Sequence, residues 1–257
     1  MKVQRNTLRF LKRMISKKDI SVVIQGPIDN RTYEAIDCYQ DFGEVIIANW
    51  DNEDLELLAK CKGRYELASS SYNKDDPKNG KMFGMYQART TLAGSKKAKL
   101  DYVMKTRSDE LYPNLDAMLS NFSEHSNRSH TTDNGFWKRH PFCYSNHLFI
   151  DKTEHIVSGM EQGLSEKKKF AADEQFFGYY LMRGRGLSID EENWKEVFRE
   201  NVFITRCIDL PNHLHSGQSG AGRYFSRSSD PYPQGRMEVK DKAHPADKLY
   251  QDIKDIK

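Results

Sequence analysis

Ile20-Ser21-Val22-Val23-Ile24-Gln25-Gly26-Pro27 and Glu44-Val45-Ile46-Ile47-Ala48-Asn49-Trp50-Asp51 set the fold of this chain. Each opens as a short β-branched run and closes on polar or turn residues, the pattern of a buried strand in a parallel sheet. Between them, Thr32 to Tyr39 places Tyr33, Ile36 and Tyr39 at helical spacing. Residues 20–50 therefore read as a β-α-β unit with a right-handed crossover.

Further along, Asp54 to Lys60 reads as a short helix, 69–81 as a polar loop and Met82 to Ala93 as a helix. Tyr102-Val103-Met104-Lys105 reads as a strand delivering Thr106-Arg107-Ser108-Asp109-Glu110 at its tip. Residues 120–141 are polar and carry His125, His130 and His140. Leu148-Phe149-Ile150 is expected as a further strand, and Ala172 to Met182 as an aromatic-rich helix opening on Asp173-Glu174-Gln175. After Gly220 the chain is rich in Ser, Pro, Asp and Lys, as in an extended tail. The expected fold class is α/β: a Rossmann-like, mostly parallel sheet flanked by helices, with an irregular C-terminal tail. In open parallel sheets ligands bind beyond the carboxyl ends of the strands, so the strand ends at Gln25, Asn49 and Asp109 are candidates for one pocket.

Of the 257 residues, 37% are hydrophobic and 30% charged, with 13 Phe and 13 Tyr, which supplies a core and excludes the disordered class. A formal charge of +3 is too small to imply a nucleic-acid groove, and no nucleic-acid partner is expected. The basic excess is local. Residues 1–18 hold Lys2, Arg5, Arg9, Lys12, Arg13, Lys17 and Lys18 and no acid. With Leu8, Phe10, Leu11, Met14 and Ile15, a helix over 1–19 could touch anionic lipid, or pack on the domain with its charges in water. Lys12 and Arg13 interrupt any secretory apolar core, and nothing approaches the roughly 18 apolar residues of a membrane span. A cytoplasmic protein, at most peripheral to the membrane, is expected. Cys38, Cys61, Cys143 and Cys207 are widely spaced, so buried thiols are expected rather than zinc ligands or disulfides.

Lys105-Thr106-Arg107-Ser108-Asp109 carries the clearest chemistry. A carboxylate fixed at a strand tip can hold Mg²⁺ or Mn²⁺, and the cation can neutralise a departing diphosphate. The same acid also suits a plain turn running into Leu111 and Tyr112-Pro113.

The segments 21–28, 44–50 and 102–109 together resemble the WavE-type lipopolysaccharide-synthesis glycosyltransferases. The shared order is a strand ending in Gln-Gly-Pro, a strand ending near Trp, a helical Gln, then Lys-x-Arg-Ser/Thr-Asp; Gln87 stands where that Gln falls. The resemblance covers about residues 20–110, and 135–182 more loosely. It implies a GT-A-like fold over 1–220, with a nucleotide half at about 20–115, an acceptor half at about 116–220, and a tail at 221–257. Gln25, Gly26, Pro27, Asn49, Trp50 and Asp51 would cradle base and ribose, with Gln87, Lys105, Arg107 and Ser108 completing the nucleotide-sugar site. Asp109 would bind the metal, with His215 of His213-Leu214-His215 as a late ligand. Asp173 or Glu174 would serve the acceptor as catalytic base; the other reading, Asp173 as the helix cap, explains one acid and leaves Glu174 unassigned. The donor implied is a nucleoside-diphosphate sugar, the acceptor a glycan or glycolipid in surface polysaccharide or lipopolysaccharide synthesis.

In one place the sequence departs from the GT-A pattern. Arg107-Ser108-Asp109 replaces Asp-x-Asp, and a guanidinium can itself pair with phosphate. Phe136, Trp137, Lys138, Arg139, His140, Phe142 and Tyr144 could form an acceptor platform or ordinary core and rim packing. Two rivals share the fold: a sugar-phosphate nucleotidyltransferase, for which Gly26-Pro27 followed by Asp29-Asn30-Arg31 is a poor phosphate loop, and a non-catalytic carbohydrate-binding protein.

Overall fold

The computed structural model describes residues 14–71, 83–133, 141–166, 168–210 and 214–215. The basic segment up to residue 13, the loop residues 72–82, the stretch 134–140 with most of the expected acceptor platform, and the tail lie outside the described residues.

Seven strands form one sheet: β1 (Ile20–Gln25), β2 (Glu44–Trp50), β3 (Glu66–Ser70), β4 (Tyr102–Arg107), β6 (Ser129–Thr132), β7 (Phe149–Lys152) and β8 (Val202–Thr205), in the order β3-β2-β1-β4-β7-β6-β8. β5 (Glu110–Leu111) pairs apart from them with β9 (Leu214–His215). β3, β2, β1 and β4 are parallel neighbours, β7 runs antiparallel to both β4 and β6, and β8 is parallel to β6. β7 is thus the reversed strand of the seven. The helices are α1 (Asn30–Cys38), α2 (Phe83–Lys97), α3 (Asp116–Glu124), α4 (Thr153–Ser165), α5 (Asp173–Gly184) and α6 (Trp194–Asn201). The α/β, Rossmann-like, mostly parallel sheet is as expected.

Successive strand residues face opposite sides of the sheet, and both sides are covered. Val23, Ile46, Val103 and Phe149 pack into one core with residues of α2, α4, α5 and α6, whereas Val22, Ile24, Ile47, Met104 and Ile150 pack into the other with α1 and α3. Both faces of β1 and β2 are therefore dry, which is why their sequences read as continuous apolar runs. Each fully buried Val, Ile or Phe contributes about 1.5–3 kcal/mol of transfer free energy. On the α2 side, α4 approaches α5 so closely that a Cβ on Gly159 would strike the carbonyl of Tyr180.

Several local expectations need correction. Ser69 and Ser70 belong to β3 rather than to the loop, and the helix expected over 54–60 is a 3-10 turn at Glu56–Cys61. The helix expected to stop at Ala93 continues to Lys97, and the polar stretch 120–141 contains the end of α3 and all of β6. All four β6 residues, Ser129-His130-Thr131-Thr132, are buried. The Ser and Thr hydroxyls are met by neighbours: Tyr144 Oη lies 2.7 Å from Ser129 Oγ, Thr131 Oγ1 donates to the Ser145 carbonyl at 3.0 Å, and Thr132 Oγ1 lies 3.3 Å from Ser145 Oγ. The cysteines are free thiols, with Cys61 and Cys143 buried and Cys38 and Cys207 half-buried.

Candidate active site at the carboxyl edge of the sheet

β1 leaves the sheet through Gly26, whose φ of +139° lies in the region that only glycine adopts without strain. The Gly26 amide donates to the Ala48 carbonyl at 3.2 Å, and the Ser108 amide donates to the Gln25 carbonyl at 2.9 Å. A Cβ on residue 26 would run into Ser108 Oγ. The bend is thereby tied to β2 on one side and to the residue beyond β4 on the other, so the Gly-Pro turn and the 107–109 tip lie side by side at the carboxyl edge of the sheet. Pro27 is exposed beside it. Asp29 then caps α1, its Oδ1 accepting from the amides of Arg31 at 2.9 Å and Thr32 at 3.2 Å.

At the end of β2, Asn49 Oδ1 accepts from Ser69 Oγ at 2.9 Å and Nδ2 donates to the Trp50 carbonyl at 2.8 Å, so the buried amide ties β2 to β3. Trp50 meets Tyr86 of α2 edge-to-face at 5.3 Å, and Asp51 is exposed. Gln87, one residue on, has a buried Oε1 that accepts no hydrogen bond among the described residues.

The tip of β4 holds opposing charges. Gln25 and Arg107 are register partners, as are Val23 and Lys105, so Gln25, Lys105 and Arg107 share the sheet face covered by α2 and α5. Lys105 is fully buried; its Nζ donates to the Asn146 carbonyl and lies 5.8 Å from the centre of the Phe177 ring. Burial pushes its pKa down to about 7, with the Arg107 charge adding to the shift and Glu110, Asp109 and Asp173 opposing it. Asp173, the first residue of α5, is thus near enough for its charge to act on Lys105.

Arg107 closes a two-pronged fork on Asp109, Nε to Oδ1 and Nη2 to Oδ2, both at 2.8 Å. Burial works against the guanidinium charge, but the bonds to Asp109 and the nearby Glu110 outweigh it and hold Arg107 protonated beyond its usual range. Glu110 is wholly buried: Tyr112 Oη donates to its Oε2 at 2.8 Å, Arg107 Nε lies 3.5 Å from its Oε1, and His147 Nδ1 pairs with the same Oε1. His215 reaches this place through the backbone, because β9 runs antiparallel to β5 with His215 opposite Glu110 and Leu214 opposite Leu111.

At the start of α5 the capping alternative for Asp173 fails. Ala172 is the N-cap and Asp173 the first helical residue, while Gln175 Oε1 accepts from the amides of Ala171 at 3.0 Å and Ala172 at 3.2 Å. Phe142 and Tyr144 are buried at 3% and 0% exposure, so in both cases core packing prevails over an exposed platform. His130 is a core residue too, stacked on Phe203 at 4.9 Å, with its pKa pushed down to about 3 by burial.

Glu110, Asn146 and His147 were not anticipated. Asn146 and His147 precede β7, and a reversed strand brings its entering residues, not its leaving ones, to the carboxyl edge. The sequence signal was present in Asn-His just before Leu148-Phe149-Ile150, but its meaning depends on a strand direction that periodicity does not reveal.

The chain matches no protein-family model and no curated protein. Among solved structures, 4-diphosphocytidyl-2C-methyl-D-erythritol synthase from Anaerococcus prevotii is similar at 13% identity with a TM-score of 0.45, over 74% of this chain and 90% of that one. At this depth of likeness neither substrate nor residue roles transfer.

Proposed function

We propose that the chain is a glycosyltransferase that moves a sugar from a nucleoside-diphosphate sugar to a hydroxyl of a glycan or glycolipid, in surface polysaccharide or lipopolysaccharide synthesis. The observation that supports this reading is the junction of Gly26 with Ser108, which sets the Gly-Pro bend directly beside the Arg107–Asp109 tip. Gln25, Gly26, Pro27, Asn49, Trp50, Asp51 and Gln87 would frame the nucleotide, with Asn49 acting through its bonds to Ser69 and Trp50. Arg107 would bind the diphosphate through its planar fork, and the buried Lys105 would add positive potential behind it. In the transfer, the acceptor oxygen bonds to the anomeric carbon as the bond to the diphosphate breaks. Asp173 or Glu174 takes the hydroxyl proton.

Among the described residues no three His, Cys, Asp or Glu side chains are grouped to hold a metal ion. A carboxylate such as Asp109 still fits Mg²⁺ or Mn²⁺ if diphosphate oxygens and water complete the shell, since Mg²⁺ is often bound by one or two carboxylates plus substrate phosphates. Asp109, with His215 as second protein ligand, would hold the ion, which supplies charge neutralisation of the leaving diphosphate. No helix among the described residues is long and apolar enough to cross a membrane. The basic segment of residues 1–18 would supply any contact with anionic lipid.

Nucleotidyl transfer from a nucleoside triphosphate is the competing reading. The capping of α1 by Asp29 speaks against it, because amides that could meet a triphosphate after β1 are already bonded to the chain's own carboxylate. The test is to incubate the protein with a panel of nucleoside-diphosphate sugars and, separately, with nucleoside triphosphates and sugar 1-phosphates. Release of nucleoside diphosphate, abolished by Asp109→Ala, supports glycosyl transfer; release of pyrophosphate supports the rival. Unchanged sugar-nucleotide binding and turnover in Asp109→Ala would remove Asp109 from the site.

A further inference from the structure

We propose that Arg107 and Asp109 form an exchange pair: a diphosphate takes the guanidinium and a divalent cation takes the carboxylate, each ligand releasing the group that the other needs. The inference rests on the transferase reading and adds how its site is gated. Both oxygens of Asp109 accept from Arg107 at 2.8 Å, and the two side chains are only 13% and 18% exposed. A cation approaching alone must displace a two-pronged, largely desolvated ion pair, and a metal-free diphosphate must do the same from the other side.

When both arrive, the guanidinium meets phosphate and the carboxylate meets the cation, so each old attraction is replaced by a new one. Glu110 makes the exchange feasible. Wholly buried, with an oxygen 3.5 Å from Arg107 Nε, it remains a counter-charge for the guanidinium after Asp109 has been released. Tyr112 and the His147 pairing fix that carboxylate in place. The register of Gln25 with Arg107 keeps the exchange beside the Gly26 bend. The arrangement also gives a reason for arginine at 107: it occupies the lone carboxylate in the resting protein and binds phosphate in the loaded one.

The test titrates the full chain with Mn²⁺ alone, followed by electron paramagnetic resonance, and with pyrophosphate in chelator, followed by calorimetry. Arg107→Ala releases Asp109 and is expected to bind Mn²⁺ about tenfold more tightly than the wild type while losing pyrophosphate binding. Asp109→Ala releases Arg107 and is expected to bind metal-free pyrophosphate about tenfold more tightly while losing Mn²⁺. The gain for pyrophosphate must vanish when Asp109→Ala is made in an Arg107→Ala background, since a general change in local charge would persist there. No gain in either single variant, or a gain that survives in the double variant, overturns the exchange. The two single variants are independent, so misfolding of one leaves the other decisive. Sugar-nucleotide turnover by the wild type reads the transferase assignment separately: turnover without the gains discards the exchange alone, and gains without turnover discard the transferase assignment alone.

Discussion

The Oγ of Ser108 fills the space in which a side chain on Gly26 would begin, while the Ser108 amide donates to the Gln25 carbonyl at 2.9 Å. The end of β1 and the tip of β4 are thus interlocked by a missing side chain. Gly26→Ala has to accommodate both a φ of +139° and a collision with Ser108. A loss of about 1–3 kcal/mol from backbone strain is expected, read as a lower urea midpoint, with donor affinity falling as the bend and the β4 tip are pushed apart. The double variant Gly26→Ala/Ser108→Gly is expected to recover part of the loss, because it removes the collision and leaves only the dihedral strain. Equal stability of the single and double variants would show that the contact is unimportant.

Glu110→Ala tests the buried hub. The substitution removes the partner of Tyr112 and His147 and the second counter-charge of Arg107. Truncating one member of a buried charged cluster typically costs about 3–5 kcal/mol, because the groups left behind are desolvated without compensation. Chemical denaturation is expected to show a loss of that order, against less than about 1 kcal/mol for the exposed Glu154→Ala, whose partner Lys152 lies 3.5 Å away at the surface.

What the sequence disclosed and what it hid follow from the same physics. β1 and β2 were legible because both their faces are dry, so their middles are apolar and turn residues mark the ends, and β4 was legible from Tyr102-Val103-Met104 running into a polar tip. β6 was hidden because its buried side chains are Ser, His and Thr, whose partners such as Ser145 and Tyr144 come from a distant segment. α4 was hidden because Gly159 and Gly163 form half of its buried stripe, and close approach of two helices leaves no hydrophobic periodicity to count. At the candidate site, the sequence put Gln25, Arg107 and Asp109 at strand ends, where the register places Gln25 beside Arg107, and His215 falls opposite Glu110. His147 required knowing that β7 is reversed.

Lys105 gives the site a pH signature. Its folded pKa of about 7 lies below the ordinary lysine value, so between those two values the unfolded chain binds more protons than the folded one. Stability contributed through this group must therefore rise as pH increases from about 7 towards about 10.4, and the full penalty for burying the charge applies below that window. In Lys105→Met the rise is expected to disappear, although the Asn146 carbonyl loses its donor and the stability at any one pH shifts as well. Urea midpoints measured from pH 6 to pH 10 on both proteins check the slope. Parallel pH profiles would mean that Lys105 keeps its ordinary charge in the folded state.

Asp173 and Glu174 can be told apart because neither is the N-cap of α5. The segment entering α5 is fastened by Gln175, whose amide also donates to the Pro141 carbonyl at 3.0 Å, so substitutions at 173 and 174 leave that fastening in place. Asp173 is near enough for its charge to act on Lys105. As general base, Asp173→Asn is expected to lower kcat by about 10²–10⁴ with KM for the donor little changed, the range for removal of a positioned proton acceptor. Glu174→Gln is expected to change acceptor KM more than kcat. The melting temperatures of both variants should stay close to the wild type, which separates a chemical role from a structural one. A large kcat loss confined to Glu174→Gln would move the base by one residue, to the side chain whose backbone carbonyl accepts from the Tyr144 amide at 3.2 Å.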